Sequence, residues 1–430
     1  MKPDDAQLLE LSGRRAAGIA RTRRSQDARV LPAELGLEGR LMRRLLGSLG
    51  DPPLRVTLWN GESIFTGRGN AVAGIRIADR SALLKLFINP ELYFGEAYGD
   101  GSIEVDGDLV KLLEVACRGM EHASFSGTLR HLVKSLDRPR SNALSAARDN
   151  IHHHYDLGNE FYRLWLDREM LYTCAYFPTP DVSLEQAQVA KMDHVCRKLR
   201  LRPGDAVVEA GCGWGALALH MATRYGAQVR AFNISREQIA YARARARAMG
   251  VGQRVEFMED DYRNISGRYD AFVSVGMLEH VGRDHYGELG RVIDRCLPRN
   301  GRGILHSIGQ DQPALLNAWI EKRIFPGAYP PTLREMLAIL EPQELSVLDV
   351  ENLRLHYALT LEHWLRRFED ARERVSEMYD ERFVRTWRLY LAGSLAAFNT
   401  GNLQLFQVLF ARAGSNDMPW TRAHLYGQWR

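Results

Sequence analysis

After Arg202-Pro203-Gly204 the chain settles into an alternation that few folds accommodate: short apolar runs separated by segments of helical length. AVVEA (206–210) predicts a strand, ALALHMATRY (216–225) a helix, QVRAFN (228–233) a strand and SREQIAYARARARAM (235–249) a helix. RVEFM (254–258) and AFVSVG (271–276) predict two further strands. Strands joined by helical crossovers run parallel, so this region predicts an α/β fold built on a doubly wound, mainly parallel sheet. Arg243, Arg245 and Arg247 resemble a basic motif, but a spacing of two spreads them around a helix, and a solvated helix is the expectation.

Directly after the first of these strands comes Glu209-Ala210-Gly211-Cys212-Gly213-Trp214-Gly215, opening the next helix. Glycines there let the backbone turn sharply and approach a ligand, and a helix N-terminus offers N–H groups to an anionic moiety. The ligand is expected at the carboxyl ends of the strands. A nicotinamide-dinucleotide loop would place its third glycine one position later. G-x-G-x-G after an acid instead resembles motif I of the class I S-adenosylmethionine-dependent methyltransferases. In that superfamily's arrangement, Asn233, Ser235 and Gln238 follow the second strand, and Asp260-Asp261-Tyr262 follow the third, where an acid sits near the adenine. A purely structural turn in another α/β enzyme stays open on this motif alone.

The remaining chain narrows the class. At 430 residues there is room for two or three domains, and no apolar run approaches the ~20 residues a bilayer-spanning helix needs. The start, MKPDDAQLLE, lacks a secretory pattern, so a cytoplasmic address is expected. Cys117, Cys174, Cys196, Cys212 and Cys296 are odd in number, widely spaced and free of C-x-x-C pairs, which argues against a disulfide framework or a zinc site. Net charge is only +4, yet residues 12–49 hold Arg14, Arg15, Arg21, Arg23, Arg24, Arg29, Arg40, Arg43 and Arg44 against Asp27, Glu34 and Glu38. Such a segment suits an anionic surface or is simply a solvated terminus. Residues 1–35 are read as a basic, partly disordered N-terminus. Residues 36–136 are read as a small α+β domain contacting lipid, membrane or a second copy: LRVTLWNGESIFTG (54–67) predicts a hairpin turning at Asn60-Gly61, AVAGIRI another strand and DLVKLLEVACR a helix. DRPRSN (137–142) opens a linker ending at residue 149, and residues 150–430 form the catalytic domain.

A series of ordered blocks adds a more specific signal. HYDLGN (154–159) with FYRLWLD, then LYTCAYF, VVEAGCGWG, VGMLEHVG (275–282), LHSIG (305–309), WIEKRIFPG (319–327), LRLHYALTLEHW (353–364) and NLQLFQVLFAR resemble the cyclopropane fatty acid synthase family in the same order. The resemblance spans about residues 150–412, and the N-terminal region resembles the extra domain of longer bacterial members. It implies a Rossmann-like class I methyltransferase fold and transfer of a methylene unit from S-adenosylmethionine to the cis double bond of an unsaturated phospholipid acyl chain. It also implies peripheral association with the inner face of the membrane, no nucleic acid, and compatibility with a homodimer. Methyl or methylene branching without ring closure, and a non-catalytic lipid-binding protein on the same fold, are the alternatives.

An alkene is a poor nucleophile, so such a reaction relies on holding the sulfonium methyl in line with the π bond. The carbocation that follows is suited by aromatic faces such as Tyr172, Tyr176, Phe177 and Trp214. Family members use a bound bicarbonate ion to take the proton that must leave before the ring closes. Its ligands map onto Cys174, Glu279, His306, Ile308 and Tyr357, with Cys174 and Ile308 offering backbone N–H groups. The cofactor-binding set implied is Tyr172, Thr173, Glu209, Gly211, Gly213, Gly215, Asn233, Ser235, Gln238, Asp260, Asp261 and Tyr262. No metal is expected: of His152, His153 and His154 only the last falls in a family block, and consecutive histidines do not share a face. The chain departs from the commonest family pattern at Ala328-Tyr329-Pro330-Pro331, at Phe177 and at Asn233, which bears on substrate choice more than on reaction type.

Overall fold

The structure, a computed structural model, describes residues 35–122 and 157–426. Most of the basic N-terminal segment, the expected linker and His152–His154 lie outside the described residues.

The first described unit opens with helix α1 (Leu37–Ser48) and strands β1 (Leu54–Thr57), β2 (Ser63–Phe65) and β3 (Ala73–Ile77). Helices α2 (Arg80–Ile88) and α3 (Pro90–Asp100), strand β4 (Ile103–Gly107) and helix α4 (Leu109–His122) complete it. The four strands form one sheet in the order β2-β1-β3-β4. The hairpin turns where the sequence places it, with Gly61 at φ 84° in the left-handed region that glycine enters without a Cβ penalty. Asp79 and Asn89 cap α2 and α3, accepting from the amides of Ala82 and Leu92, and Pro90 opens α3.

The larger unit carries helices α5 (Asn159–Arg163) and α6 (Leu184–Lys198) before strand β5 (Ala206–Ala210). There follow α7 (Ala216–Arg224), β6 (Gln228–Asn233), α8 (Arg236–Ala248), β7 (Val255–Glu259), β8 (Ala271–Val275), α9 (Tyr286–Cys296) and β9 (Arg302–Gly309). The chain ends through α10 (Ala318–Arg323), α11 (Leu333–Leu340), β10 (Leu345–Asn352), α12 (Arg354–Asp370), α13 (Arg372–Met378), α14 (Glu381–Thr400) and β11 (Gln404–Arg412). The seven strands run β10-β11-β9-β8-β5-β6-β7, with β5 to β9 parallel and β11 antiparallel to both its neighbours, β9 and β10. Strand order reverses between β5, which continues to β6, and β8, which lies on β5's other side. That switch point opens a crevice at the strand ends, and the glycine loop leaves β5 there.

A third layer covers the crevice. Phe161, Tyr162, Trp165, Trp364, Trp387 and Phe398, from α5, α12, α14 and the turn after α5, are buried in one apolar cluster with Tyr357 and Trp214. The small domain braces this cap. Gly95 of α3 lies so close to Trp319 that an added Cβ would meet its ring at 2.5 Å, and Arg385 of α14 donates to the carbonyls of Tyr98 and Ile103 at 2.6 and 2.9 Å. The arginine-rich helix α8 is not merely solvated: Arg243 donates to the Phe257 carbonyl, and Arg245 pairs with Glu169. Among the described residues no helix is long and apolar enough to cross a membrane.

Candidate active site

The glycine loop is pinned before it can meet a ligand. The amides of Gly211 and Cys212 both donate to the Phe232 carbonyl, at 2.9 and 3.0 Å, tying the loop to the end of β6. Gly211, Gly213 and Gly215 all have positive φ, at 84°, 52° and 84°. Their surroundings differ. A Cβ on Gly213 would meet no heavy atom within 4 Å, so this position faces open space, whereas a Cβ on Gly211 would strike the Met277 side chain at 2.8 Å. At Gly215 it would strike Phe257 at 2.7 Å and Ala242 at 2.8 Å. The absence of a Cβ at Gly215 therefore serves the packing of α7 and α8 on the sheet, and Gly215 stands outside the lining of the switch-point pocket.

Tyr172, Thr173, Glu209, Gly211, Gly213, Asn233 and Gln238, all expected at the cofactor, line one pocket at the switch point. Asn233 Nδ2 donates to the Gly213 carbonyl at 3.3 Å and to Gln238 Oε1 at 2.6 Å, so the end of β6 and the start of α8 are held as one polar edge. The other expected cofactor residues stand outside this lining. Ser235 caps α8 by accepting from the Gln238 amide. Asp261 accepts from the Arg263 amide and pairs with the Arg263 guanidinium at 3.0 Å, and the Tyr262 ring lies 4.9 Å beneath that guanidinium. Asp260 Oδ1 accepts from Asn264 and from the Asp261 amide. These residues shape the turn after β7.

The segment 170–177 crosses the pocket's far side. Its approach is set by Asp167, whose two carboxylate oxygens each accept at 2.8 Å, from the amides of Glu169 and Leu171, with Met170 between them at φ 61°. Burial pushes the Asp167 carboxyl up to about 6. Gln188 then donates to the carbonyls of Leu171 and Thr173, and Lys191 Nζ donates to Thr173 Oγ1 at 2.8 Å. Tyr172 and Tyr390 share a hydroxyl–hydroxyl hydrogen bond of 2.6 Å, and the Tyr172 ring packs against Tyr162, Trp165 and Trp364. Phe177 belongs to the same buried apolar cluster as Trp165 and Trp214, and Tyr176 packs against that cluster as Tyr172 does, but both rings also meet histidines. Tyr176 stacks between His194 and His356 at 4.2 and 4.8 Å, and Phe177 stacks on His363 at 5.6 Å. These histidines come from α6 and α12.

Outside the pocket lining stand the residues expected to bind an anion, of which Glu279 and Ile308 are in direct contact. Glu279, just beyond β8, accepts from the Ile308 amide at 2.6 Å through Oε1, while its buried Oε2 has no protein partner. His306 lies two residues before Ile308 on β9. Its Nδ1 pairs with Gln407 Nε2 at 3.0 Å across the β9–β11 ladder, and its buried Nε2 has no protein partner. Burial raises the Glu279 carboxyl to about 7 and lowers His306 to about 3, so the imidazole is neutral. The Gln407 amide donates to Nδ1, leaving the ring proton on Nε2. The Ile308 N–H, expected to face the anion, is thus spent on Glu279, because the carboxylate reaches it first. Tyr357 packs its ring on Phe398 at 4.6 Å, one helical turn beyond Leu353, whose carbonyl lies 4.0 Å from Cys174 Sγ. Cys174 is buried, its thiol donates to the Ala175 carbonyl, and burial pushes its pKa far upward, which leaves no thiolate for nucleophilic attack. Among the described residues no group of three or more His, Cys, Asp or Glu side chains is placed to hold a metal.

Several residues of the site carried no sequence signal. Lys191 sits on a helix with ordinary surface composition, yet it is buried and lines the pocket. Gln407 is a buried polar residue in a largely apolar strand that also holds Gln404, and Tyr390 and Trp165 look like core. A polar residue at an apolar strand position was the available hint, and it points to Gln407 and Gln404 alike.

Residues 142–408 match the family described as mycolic acid cyclopropane synthetase, and residues 41–134 match a domain of unknown function. A Pseudomonas putida protein named "Probable fatty acid methyltransferase" is 36% identical, covering 87% of this chain and 96% of that protein. The Escherichia coli K12 cyclopropane-fatty-acyl-phospholipid synthase is 36% identical, covering 81% and 91%. A solved mycolic acid cyclopropane synthase complexed with SAH superposes with a TM-score of 0.59 at 27% identity, covering 61% of this chain and 97% of that one.

Proposed function

Because the chain belongs to the mycolic acid cyclopropane synthetase family, we propose that it closes a cyclopropane ring on the cis double bond of an unsaturated phospholipid acyl chain. It is an S-adenosylmethionine-dependent methyltransferase acting on lipid acyl chains. The observation that carries the finer reading is that Glu279 Oε2 and His306 Nε2 are buried without protein partners. Buried polar atoms are costly unless something meets them. A bicarbonate ion, with donor and acceptor atoms, fits a neutral imidazole offering Nε2–H and a carboxyl that titrates near neutrality.

When bound, S-adenosylmethionine supplies a methyl group made electrophilic by the adjacent sulfonium. The open space at Gly213 and the Asn233–Gln238 edge would hold it. Tyr172, Trp165 and Trp214 would exclude water and present ring faces to the positive charge that develops on the acyl chain when the alkene π electrons take up the methyl carbon and the S–CH3 electron pair leaves with the sulfur of S-adenosylhomocysteine. His306, Glu279 and Tyr357 hold the base where a proton leaves the new methyl group, and its C–H electron pair closes the ring.

Lipids extracted from cells expressing the chain test this. Ring closure and methylene branching both add one CH2, so NMR must locate cyclopropane protons. Branched chains without those protons would replace the ring-forming reading. Cofactor binding with no lipid product, bicarbonate being supplied, would indicate a lipid-binding protein. For location we propose a cytoplasmic enzyme docked on the membrane's inner face, aided by the arginines between Arg14 and Arg44. Each is worth at most on the order of 1 kcal/mol at an anionic surface and is screened by salt. Removing residues 1–34 should weaken binding to anionic vesicles at low salt, with little change on neutral vesicles. Unchanged binding would move docking to another surface.

A further inference from the structure

The cofactor pocket contains a buried ammonium and a buried carboxyl group that do not pair with each other. Lys191, on α6, is 1% exposed, and Glu209, at the end of β5, is 2% exposed; both line the pocket. Lys191 Nζ makes one hydrogen bond, to Thr173 Oγ1 at 2.8 Å, and among the described residues no carboxylate lies within ion-pair distance of it. Two of its three N–H donors are left to the pocket. Glu209 Oε2 is likewise buried without a partner. Asp167, the other carboxylate whose charge Lys191 feels, spends both oxygens on the backbone amides of Glu169 and Leu171. Desolvation dominates both groups, lowering Lys191 to about 8 and raising Glu209 to about 8, although each carries the electrostatic influence of the other.

Glu209 also accepts from the Ala218 amide, so its free oxygen is Oε2; an ammonium with spare donors and a carboxyl with a spare oxygen lining one pocket are complementary to a zwitterion. We propose that Lys191 is a cofactor-binding residue: with Thr173 it holds the α-carboxylate of the amino-acid end of S-adenosylmethionine, while Glu209 holds the α-ammonium. The Lys191–Thr173 hydrogen bond supports this division. Because Thr173 Oγ1 accepts from the lysine, its own O–H is left to donate, so the carboxylate meets a hydroxyl backed by a positive charge. The inference rests only on the identity of the cofactor and is independent of the bicarbonate and acyl-chain readings.

Isothermal titration of the full chain with S-adenosylhomocysteine and with its decarboxylated form, which keeps the ammonium and loses the carboxylate, tests the assignment. The native protein should bind the carboxylate-bearing ligand on the order of tenfold or more tightly, as expected for a charge-assisted hydrogen bond. Lys191→Met should erase most of that preference while leaving the decarboxylated ligand within about threefold of native, and Lys191→Arg should restore part of it. Equal native affinity for the two ligands would overturn the proposal without reference to any variant. So would a Lys191→Met protein that retains the native preference. A lysine serving only the fold would weaken both ligands equally.

Discussion

The two described units bury their polar residues differently. In the small N-terminal unit the core is apolar, built on Met42, Leu54, Ile77, Leu83 and Ile103; its one buried polar residue, Thr66, is hydrogen-bonded to the Pro52 carbonyl, and a single buried polar side-chain atom, Glu62 Oε2 on a half-buried residue, lacks a partner. The larger unit buries Lys191, Glu209, Glu279, His306 and Gln407, and four of these five carry a side-chain atom with no protein partner, while Lys191 has unused donors. Burying polar groups without partners works against folding, so a core that does it repeatedly around one crevice is arranged for something that enters the crevice. The small unit contributes rigidity instead. Its α3 places Glu96 against Arg323, Lys322 and Arg382, and offers the Tyr98 carbonyl and hydroxyl to Arg385 and Arg388, so the wall of the aromatic cap is clamped from outside.

The largest expected effects test the polar side of that contrast. Glu279→Gln and Tyr357→Phe should each lower kcat by about 10²–10³-fold while S-adenosylhomocysteine affinity changes less than about threefold, because both groups are assigned to the base and not the cofactor. Gly211→Val should do the reverse, since its Cβ would collide with Met277 and its φ of 84° is foreign to a β-branched residue. Parallel losses of affinity in all three variants would dissolve the distinction between cofactor pocket and base site.

A smaller effect comes from pH. The Glu279 carboxyl is raised from 4.5 to about 7 by burial, so the stability tied to its protonated form is complete below about 4.5 and is lost as pH rises toward 7. In cofactor-free protein, the native chain should lose on the order of 3 kcal/mol between pH 4.5 and 8 relative to Glu279→Gln. Parallel thermal-unfolding profiles for the two proteins would show that the carboxyl is not held in its neutral form.

The bracing role is tested by Arg385→Ala, which removes two hydrogen bonds from a guanidinium to α3 and β4. It should destabilise the protein by about 1–3 kcal/mol in denaturant titration and leave cofactor affinity nearly unchanged. A larger fall in affinity than in stability would make the small unit part of the site. The smallest effect is expected at Cys174→Ala: with a protonated, buried thiol the backbone is the useful part, so activity should stay within a few-fold of native. Inactivation with the fold intact would restore a role for the sulfur.

Sequence alone determined the sheet and the loop on it. Strand and helix periods, the glycines after AVVEA and the acid before them depend on interactions within a few residues, and the observed elements at Ala206–Ala210, Ala216–Arg224 and Gln228–Asn233 follow those signals closely. The ordered blocks added the family, and with it Glu279, His306 and Tyr357. Only the tertiary structure decided which side chains face the crevice. That Tyr176 and Phe177 stack on histidine rings depends on α6 and α12, which supply them. Gly215 looked equivalent to Gly213 until Phe257 and Ala242, far along the chain, occupied the space beside it. Lys191 carried no sequence signal, and only its burial and its contact with Thr173 place it at the pocket. Burial, hydrogen-bond partners and the facing of a side chain are properties of contacts between distant segments, and local periodicity carries no information about them.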